Sequence, residues 1–381
     1  MTSRPRTAAR LAAAVLALAT GASCAPSPRT CLTLVPEPPA DRDAVQVVFL
    51  GVGGLIVRWQ GAAVMAAPLY SNPTIGEIAL SEIHPDRQRI DALMRQDLTG
   101  VRAIFSGHAH YDHLMDVPYV ALHKAEHADL VGNNAMVKLL EPIRRRLEPR
   151  QELVSLESPN PPVYEVPGAQ IRIRSVASLH SPQMGPHLVG WLGRLLINFP
   201  RVTLWRGEDE DPAKELPVRA GNWTAGTTQA FVIELLDAGG DVAFRIYYQD
   251  SPTVEPYGYP DWPKNPNRYE LAILCLGGAT EYKAFPGDIV RYLAPAYVMG
   301  IHWENFFDPR PLPSPGATGV KERIHYAPGV KEGRFLKAVR SALAPGGGVI
   351  VPCPDQAVAF RKRAGAPGWE IATDARPWTR R

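Results

Sequence analysis

The chain has 381 residues, with 41 Lys and Arg against 38 Asp and Glu, which gives a formal net charge of +3. Apolar residues make up 45% and charged residues 21% of the chain, proportions that exclude a disordered chain, a collagen-like fibre and a disulfide-stapled miniprotein. The near-neutral balance also argues against nucleic acid as a partner. Because single cores usually stop growing at about 250–300 residues, we expect two lobes or one domain with sizeable insertions.

Residues 1–23 have the pattern of a secretory signal peptide. Three arginines precede an apolar run at residues 11–19, and small residues then lead to Cys24. The apolar run has about half of the ~20 residues that span a bilayer, which argues against a retained transmembrane helix.

The four residues that end at Cys24 resemble a bacterial lipobox, with Gly21 where leucine is usual. We therefore expect a lipid anchor on Cys24 that attaches the protein to a membrane of the bacterial cell envelope. Ordinary cleavage after Ala22, which would give a secreted or periplasmic protein, is the alternative. Either cut lowers Lys and Arg from 41 to 38, against 38 Asp and Glu, so the mature chain is formally neutral.

The segment after the signal peptide, residues 24–44, is rich in proline and has almost no apolar periodicity. These features predict a semi-rigid extended tether. If Cys24 carries a lipid, Cys31, Cys275 and Cys353 remain, and this odd number indicates no disulfide framework. Cys275 and Cys353 lie in apolar runs, so we expect each to be a buried thiol.

From residue 45 onward, short apolar runs bounded by glycine, proline and aspartate alternate with longer helical patterns. This alternation predicts a mixed α/β domain over residues 45–356. Residues 46–51, 54–60 and 62–68 are expected to form successive antiparallel strands joined by glycine turns. Helices are predicted at residues 85–97 and 133–148. Further strands are predicted at residues 102–106, 163–166, 170–177, 229–236, 242–249, 271–276, 297–301 and 348–352.

Two parts of the chain lack such a pattern. Residues 182–228 contain Trp191, Phe199, Trp205, Trp223 and an acidic run. They are interpreted either as a loop insertion beside a functional site or as an excursion packed on the core. Residues 357–381 are expected to be a C-terminal tail.

Four of the predicted strands lead into residues of the types that bind metals. Ligands in open α/β sheets gather beyond the carboxyl ends of the strands, so these strand ends are expected to meet at one edge although they are far apart in sequence. The candidate ligands are His108, His110, Asp112, His113, His180, Asp250 and His302.

The first of these strand ends carries the motif H-x-H-x-D-H. In an extended segment, side chains two residues apart project to the same side, so His108 and His110 can chelate one ion. Asp112 and His113 stand where the chain is expected to turn into a helix, and they point to a neighbouring position. Imidazole and carboxylate without thiolate suit Zn²⁺, with Fe and Mn as alternatives. Two such ions sharing a hydroxide would provide a nucleophile at neutral pH.

With this motif and these later residues, the chain resembles the metallo-β-lactamase fold superfamily over residues 46–353. The resemblance implies an αββα sandwich of two mixed sheets flanked by helices, with two metal ions. It implies that His108, His110 and His180 bind the first metal, that Asp112, His113 and His302 bind the second, and that Asp250 bridges them. The residues from 50 to 73 look most like the branch with N-acyl-phosphatidylethanolamine-hydrolysing phospholipase D and ascorbate-phosphate lactonase. Ala67 stands before Pro68 where that branch often has aspartate.

These features together predict a dinuclear zinc hydrolase that attacks an ester-type bond with a metal-bridging hydroxide oriented by Asp112. A phosphodiester or a lactone is the favoured substrate. The expected substrate is a small or lipid-like molecule. The alternatives are hydrolysis of a β-lactam and a non-catalytic envelope lipoprotein that binds metal or solute in the same cleft.

Other residues compete for a role. His187 is the rival of His180 as third histidine ligand, but His180 directly follows a strand pattern. His123, Glu126 and His127 match H-x-x-E-H, a zinc peptidase pattern. No further acidic ligand accompanies them, so we interpret them as a solvated helix face. Residues 303 and 304, Trp and Glu, are candidates for substrate contact or proton donation, with core packing as the default interpretation.

Overall fold

Two large β-sheets form the centre of the protein. The computed structural model of the chain describes residues 27–39, 41–66, 68–157, 163–181, 216–261 and 269–372. In chain order, its strands are β1 (Arg29–Thr33), β2 (Ala44–Gly51), β3 (Gly54–Trp59), β4 (Ala62–Ala66), β5 (Val101–Phe105), β6 (Asp129–Gly132), β7 (Leu153–Ser155), β8 (Val163–Glu165), β9 (Ile171–Ala177), β10 (Gln229–Leu236), β11 (Val242–Gln249), β12 (Leu271–Cys275), β13 (Tyr297–Ile301), β14 (Val320–Ile324), β15 (Gly348–Ile350), β16 (Ala357–Lys362) and β17 (Trp369–Ile371). Its helices are α1 (Ile75–Leu80), α2 (Arg87–Leu93), α3 (Tyr111–Leu114), α4 (Val117–His123), α5 (Asn134–Leu140), α6 (Arg144–Leu147), α7 (Gly287–Leu293) and α8 (Glu332–Ala342), with 3₁₀ turns at Glu141–Ile143 and Ala220–Asn222.

Both large sheets are mixed. The eight-stranded sheet has the order β17-β16-β2-β3-β4-β5-β6-β7, and the seven-stranded sheet has the order β15-β13-β12-β11-β10-β9-β8. β2, β3 and β4 are antiparallel as predicted, and β4 to β7 continue in parallel. In the other sheet, β8 to β11 are antiparallel, while β11, β12, β13 and β15 are parallel.

Residues of β2 alternate between two hydrophobic clusters. Val45, Val47 and Phe49 face the cluster between the sheets, whereas Val48 and Leu50 face the cluster that α2, α4 and α5 cover. On the far side of the seven-stranded sheet, α8 packs closely: a Cβ at position 300, a glycine of β13, would lie 3.2 Å from the Phe335 ring. The layers are therefore helix, sheet, sheet, helix, and the prediction of an αββα sandwich is confirmed.

Capping determines where the predicted helices begin and end. Asp86 accepts a hydrogen bond from the backbone N–H of Arg89 and starts α2, and Met94 leaves the helical conformation, so this helix is shorter than the predicted 85–97. The predicted helix 133–148 begins after the cap at Asn133 but passes through a 3₁₀ turn that contains Pro142. Proline lacks the N–H that a continuous α-helix would use at this position.

The segment predicted as a tether is part of the fold from β1 onward. β1 pairs antiparallel with β14, and Cys31 of β1 forms a disulfide with Cys353. The prediction of an extended tether over residues 24–44 is therefore wrong for Arg29–Thr33, because this strand finds its hydrogen-bond partners in a segment distant in sequence. The prediction of a free thiol at Cys353 is wrong as well, whereas Cys275 is a buried free thiol as expected.

The predicted C-terminal tail is also folded over much of its length. β16 pairs with β2, and β17 pairs with β16 at the edge of the eight-stranded sheet. Phe360 and Trp369 are buried there in the core between the sheets, so residues 357–372 are not a tail. Residues 373–381 lie outside the described part of the chain.

The structure describes part of the predicted insertion and none of the predicted signal peptide. Within residues 182–228, the structure describes 216–228, where Trp223 is buried in the cluster beneath the helices of the eight-stranded sheet. Trp191, Phe199 and Trp205 lie outside the described residues, as do residues 1–23 and Cys24. Among the helices of the described ranges, none has the length and apolar character needed to cross a membrane.

Candidate metal centre

The ends of four strands converge at one edge of the sandwich, where the sequence predicted a metal site. His108 follows β5, His180 follows β9, Asp250 directly follows β11 and His302 directly follows β13. β5 lies in one sheet and the other strands lie in the second sheet, so the site is built across the mouth between the two sheets.

The first group of candidate ligands consists of His108, His110 and His180. Their ring centroids are 4.6 to 4.9 Å apart. One nitrogen from each ring can be chosen so that all these atoms lie within 4.8 Å of one another. This spacing permits a single ion to contact all of the rings.

A second group lies beside the first and contains His108, Asp112 and His113, again with donor atoms within 4.8 Å of one another. Asp112 Oδ2 lies 3.5 Å from His113 Nε2 and 3.7 Å from His302 Nε2, which brings His302 to the same position. His108 thus belongs to both groups by distance, whereas the family resemblance assigned it to the first metal alone.

Asp250 lies between the two groups. Its Oδ1 is 3.3 Å from His108 Nδ1, and its Oδ2 is 3.6 Å from His113 Nδ1. The carboxylate therefore lies within 3.6 Å of a histidine of each group.

Local structure holds the motif H-x-H-x-D-H in place. His110 is the N-cap of α3, so the chain turns from extended to helical between His110 and Asp112 and sends their side chains in different directions. The Ser106 hydroxyl donates to the carbonyl oxygen of His108 at 2.7 Å and lies 3.3 Å from that of His113. This hydroxyl fixes both ends of the motif.

Two glycines allow the ligands to approach the backbone. A Cβ at Gly107 would lie 2.5 Å from Asp250 Oδ2, and a Cβ at Gly53 would lie 2.8 Å from the His113 ring. Real Cβ atoms do not approach other atoms so closely, so any larger residue at either position would push a candidate ligand away.

Burial and neighbouring charges set the protonation of the site. Burial holds the pKa of His108 well below its usual range and lowers that of His113 to about 3, so both rings are neutral, the form that binds metals. Burial alone would raise the pKa of Asp112, but the adjacent imidazoles of His113 and His302 hold it well below its usual range. The same contact with Asp112 raises the pKa of His302 against the effect of burial, while burial raises the pKa of Asp250.

Several of these side chains have buried polar atoms without a hydrogen-bond partner among the described residues. They are His108 Nε2, Asp250 Oδ2 and His302 Nδ1. Leaving buried polar atoms unpaired is costly, and bound cations are one means of satisfying them. The nearby thiol of Cys275 donates instead to the carbonyl oxygen of Gly277 at 3.2 Å. A donor set of imidazole and carboxylate fits Zn²⁺, Fe or Mn, so the residues present fit the predicted metals.

The competing candidates lie elsewhere. His123, Glu126 and His127 are exposed, and α4 ends at His123, so the last two do not share a helix face with it. Glu126 forms an ion pair with Arg150 at 2.6 Å. His187 lies outside the described residues.

The residues that follow His302 are buried rather than open to a substrate. Trp303 is fully buried and its indole N–H donates to the carbonyl oxygen of Pro352 at 2.9 Å. Glu304 is also buried and bonds to backbone N–H groups. The hydrogen bonds that Glu304 and Ser106 form with backbone groups near the ligands could not be predicted from the sequence, because no motif marks either residue.

The fold is similar to those of several solved structures. The metallo hydrolase Igni18 from the archaeon Ignicoccus hospitalis aligns with 84% of this chain and 100% of its own, at 15% identity and a TM-score of 0.45. The metallo-beta-lactamase fold protein YhfI from Bacillus subtilis aligns with 82% of this chain and 98% of its own, at 10% identity and a TM-score of 0.43. CmlA, a diiron beta-hydroxylase from Streptomyces venezuelae, aligns with 85% of this chain and 55% of its own, at 11% identity and a TM-score of 0.46.

No protein-family profile matches the chain, and no curated protein matches it in sequence.

Proposed function

We propose that the protein is a metal-dependent hydrolase of the metallo-β-lactamase fold superfamily, with two zinc ions and an ester-type substrate. The observation that carries this proposal is the convergence of imidazole and carboxylate groups from four strand ends into two adjacent groups of donor atoms.

When bound, two metal ions would supply an activated water and polarise the substrate oxygen under attack. The residues that would hold them are the predicted ligands His108, His110, Asp112, His113, His180, Asp250 and His302. The low pKa of Asp112 keeps its carboxylate charged, and 13% of its side chain is exposed. It is therefore the group that would accept a hydrogen bond from the attacking water and orient it.

The proposed substrates are phosphodiesters or lactones of small or lipid-like molecules. This preference comes from the sequence resemblance to the branch with N-acyl-phosphatidylethanolamine phospholipase D and ascorbate-phosphate lactonase. Hydrolysis of a β-lactam is a weaker alternative, because one fold hosts many reactions.

The proposed location is the bacterial cell envelope, with a lipid on Cys24 as the anchor. The disulfide between Cys31 and Cys353 supports export, since disulfides persist mainly in oxidising compartments. Because β1 begins at Arg29, the chain from Cys24 to the folded domain can span at most about 17 Å. An anchored protein would then stay close to the membrane surface.

Activity screening of the zinc-loaded protein tests the proposed reaction. The panel contains phosphodiester, lactone, thioester and β-lactam substrates, with Asp112→Asn as the inactive variant and His123→Ala as a matched histidine control. We expect turnover by the wild type and by His123→Ala, and loss of turnover in Asp112→Asn and His110→Ala. A peptidase built on H-x-x-E-H would give the opposite result for the two histidine variants.

The anchor has a separate test. Cys24→Ser should release the protein from the membrane fraction, and globomycin should block processing of the wild type. A wild-type protein found entirely in the soluble fraction would refute the anchor without touching the proposal for the active site.

A further inference from the structure

The carboxylate of Glu304 joins two segments that carry candidate metal ligands. It is buried, with 6% of the residue exposed, and lies where the β2–β3 turn meets the chain just after β13. Oε1 accepts a hydrogen bond from the backbone N–H of Val52, and Oε2 accepts one from the backbone N–H of Trp303 at 3.0 Å. One oxygen therefore holds the turn and the other holds the residue next to His302.

The β2–β3 turn also lies against His113. At Gly53, a Cβ would be 2.8 Å from ring atoms of His113, and the carbonyl oxygen of Gly53 accepts a hydrogen bond from the Tyr248 hydroxyl at 2.8 Å. A displacement of this turn would therefore open or close the space beside the His113 ring.

Both segments contain a residue in a left-handed backbone conformation. Val52 has a φ of 52° and His302 has a φ of 56°. This conformation is unfavourable for residues other than glycine, and particularly for a β-branched valine, so it persists only where surrounding contacts enforce it. Glu304 accepts hydrogen bonds from the N–H of Val52 itself and from the N–H directly after His302. These hydrogen bonds therefore help to hold both residues in the left-handed conformation.

We propose that Glu304 is a positioning residue that holds His113 and His302 at the separation the metal requires. This inference rests on the proposed metal-dependent function, and Glu304 would act on the ligands through the backbone N–H groups that it accepts. The role needs a carboxylate, because each of its oxygens accepts from a different segment. A glutamine offers one acceptor oxygen and an NH₂ group that cannot accept from the second N–H.

The test compares Glu304→Gln with Asp355→Asn. Asp355 serves as the control, since it is also buried and its Oδ2 accepts the backbone N–H of Leu34, another non-glycine residue with a φ of 52°. Unlike Glu304, it also forms an ion pair with Arg310 at 3.0 Å, so its folding is checked in the same way. Zinc affinity is measured by competition with a chromophoric chelator. Cobalt is then substituted for zinc, and its d–d absorption spectrum reports the coordination geometry. Circular dichroism and thermal unfolding of the metal-free proteins show whether each variant folds.

We expect Glu304→Gln to bind zinc about 10- to 100-fold more weakly than the wild type. Substitution of residues that orient metal ligands usually weakens metal binding by this much. Its cobalt spectrum should also differ, whereas Asp355→Asn should keep wild-type affinity and spectrum. A folded Glu304→Gln with wild-type affinity and spectrum would overturn the inference. If Glu304→Gln does not fold, Glu304→Asp, which keeps both oxygens on a shorter side chain, is judged by the same criteria. A wild-type protein that binds no metal would instead refute the proposed function.

Discussion

Removal of the disulfide between Cys31 and Cys353 should destabilise the protein without changing its metal site. The two cysteines are 322 residues apart, so the bond closes a loop that includes nearly the whole described domain. The chain-entropy relation for a loop of this length gives about 19 cal/mol/K, or about 6 kcal/mol at 25 °C. Losses measured for native disulfides are usually about 2–5 kcal/mol, and we expect the double variant Cys31→Ser/Cys353→Ser to fall in this range.

The assay is urea denaturation of the metal-free protein, with the free energy of unfolding obtained by linear extrapolation. All variants carry Cys24→Ser, so that the anchor does not contribute. Reduction of the parent protein should reproduce the loss seen in the double variant, and zinc affinity should remain unchanged because neither cysteine is among the proposed ligands.

A count of thiols provides the refuting result. In denaturant without reductant, the Cys24→Ser protein should show one reactive thiol, that of Cys275, since the other cysteines are paired. Three reactive thiols in protein isolated from an oxidising compartment would show that the bond does not form. A double variant as stable as its parent would show that the loop-closure reasoning does not apply.

Two further substitutions test the site and the core. Gly107→Ala should displace Asp250, because the new Cβ would lie 2.5 Å from its Oδ2, and zinc affinity should fall by at least about 10-fold. Gly333→Ala is the control, since its Cβ meets nothing within 4 Å, and it should leave zinc affinity unchanged. Burial raises the pKa of Asp116 from 3.8 to about 6. The protonated carboxyl of Asp116 therefore stabilises the fold fully below about pH 4, and this stabilisation is lost as the pH rises through 6. Over this interval, the free energy of unfolding of Asp116→Asn should rise by up to about 3 kcal/mol relative to that of the wild type. Urea denaturation at each pH measures the difference. A difference that stays constant between pH 4 and pH 7 would contradict the raised pKa.

The strands and the candidate ligands were predictable from sequence for one reason. Alternating or continuous apolar runs mark β2, β10 and β11, and the ligand types stand directly after such runs or within a dense motif, as at His108 and His110. These signals are local, so they survive in a single sequence. The convergence of the ligands followed from the rule that functional groups gather at the carboxyl ends of strands.

The features that sequence reasoning missed depend on contacts between distant segments. Counting cysteines suggested no disulfide, because the arithmetic cannot show that Cys31 and Cys353 meet through the pairing of β1 with β14. β16 lies in the segment predicted to be a C-terminal tail, and its pairing with β2, at the other end of the chain, leaves no mark in the local sequence. Glu304 could not be recognised because its function depends on two backbone N–H groups that only the folded chain brings together.

The metal content of the purified protein is the most direct test of the proposed centre. Wild-type protein produced in zinc-containing medium should hold close to two zinc ions per chain by inductively coupled plasma mass spectrometry, and His110→Ala, which removes one of the first group of candidate ligands, should hold fewer. His123→Ala should match the wild type. A folded wild-type protein that contains no metal and takes up none on dialysis against zinc would contradict the account.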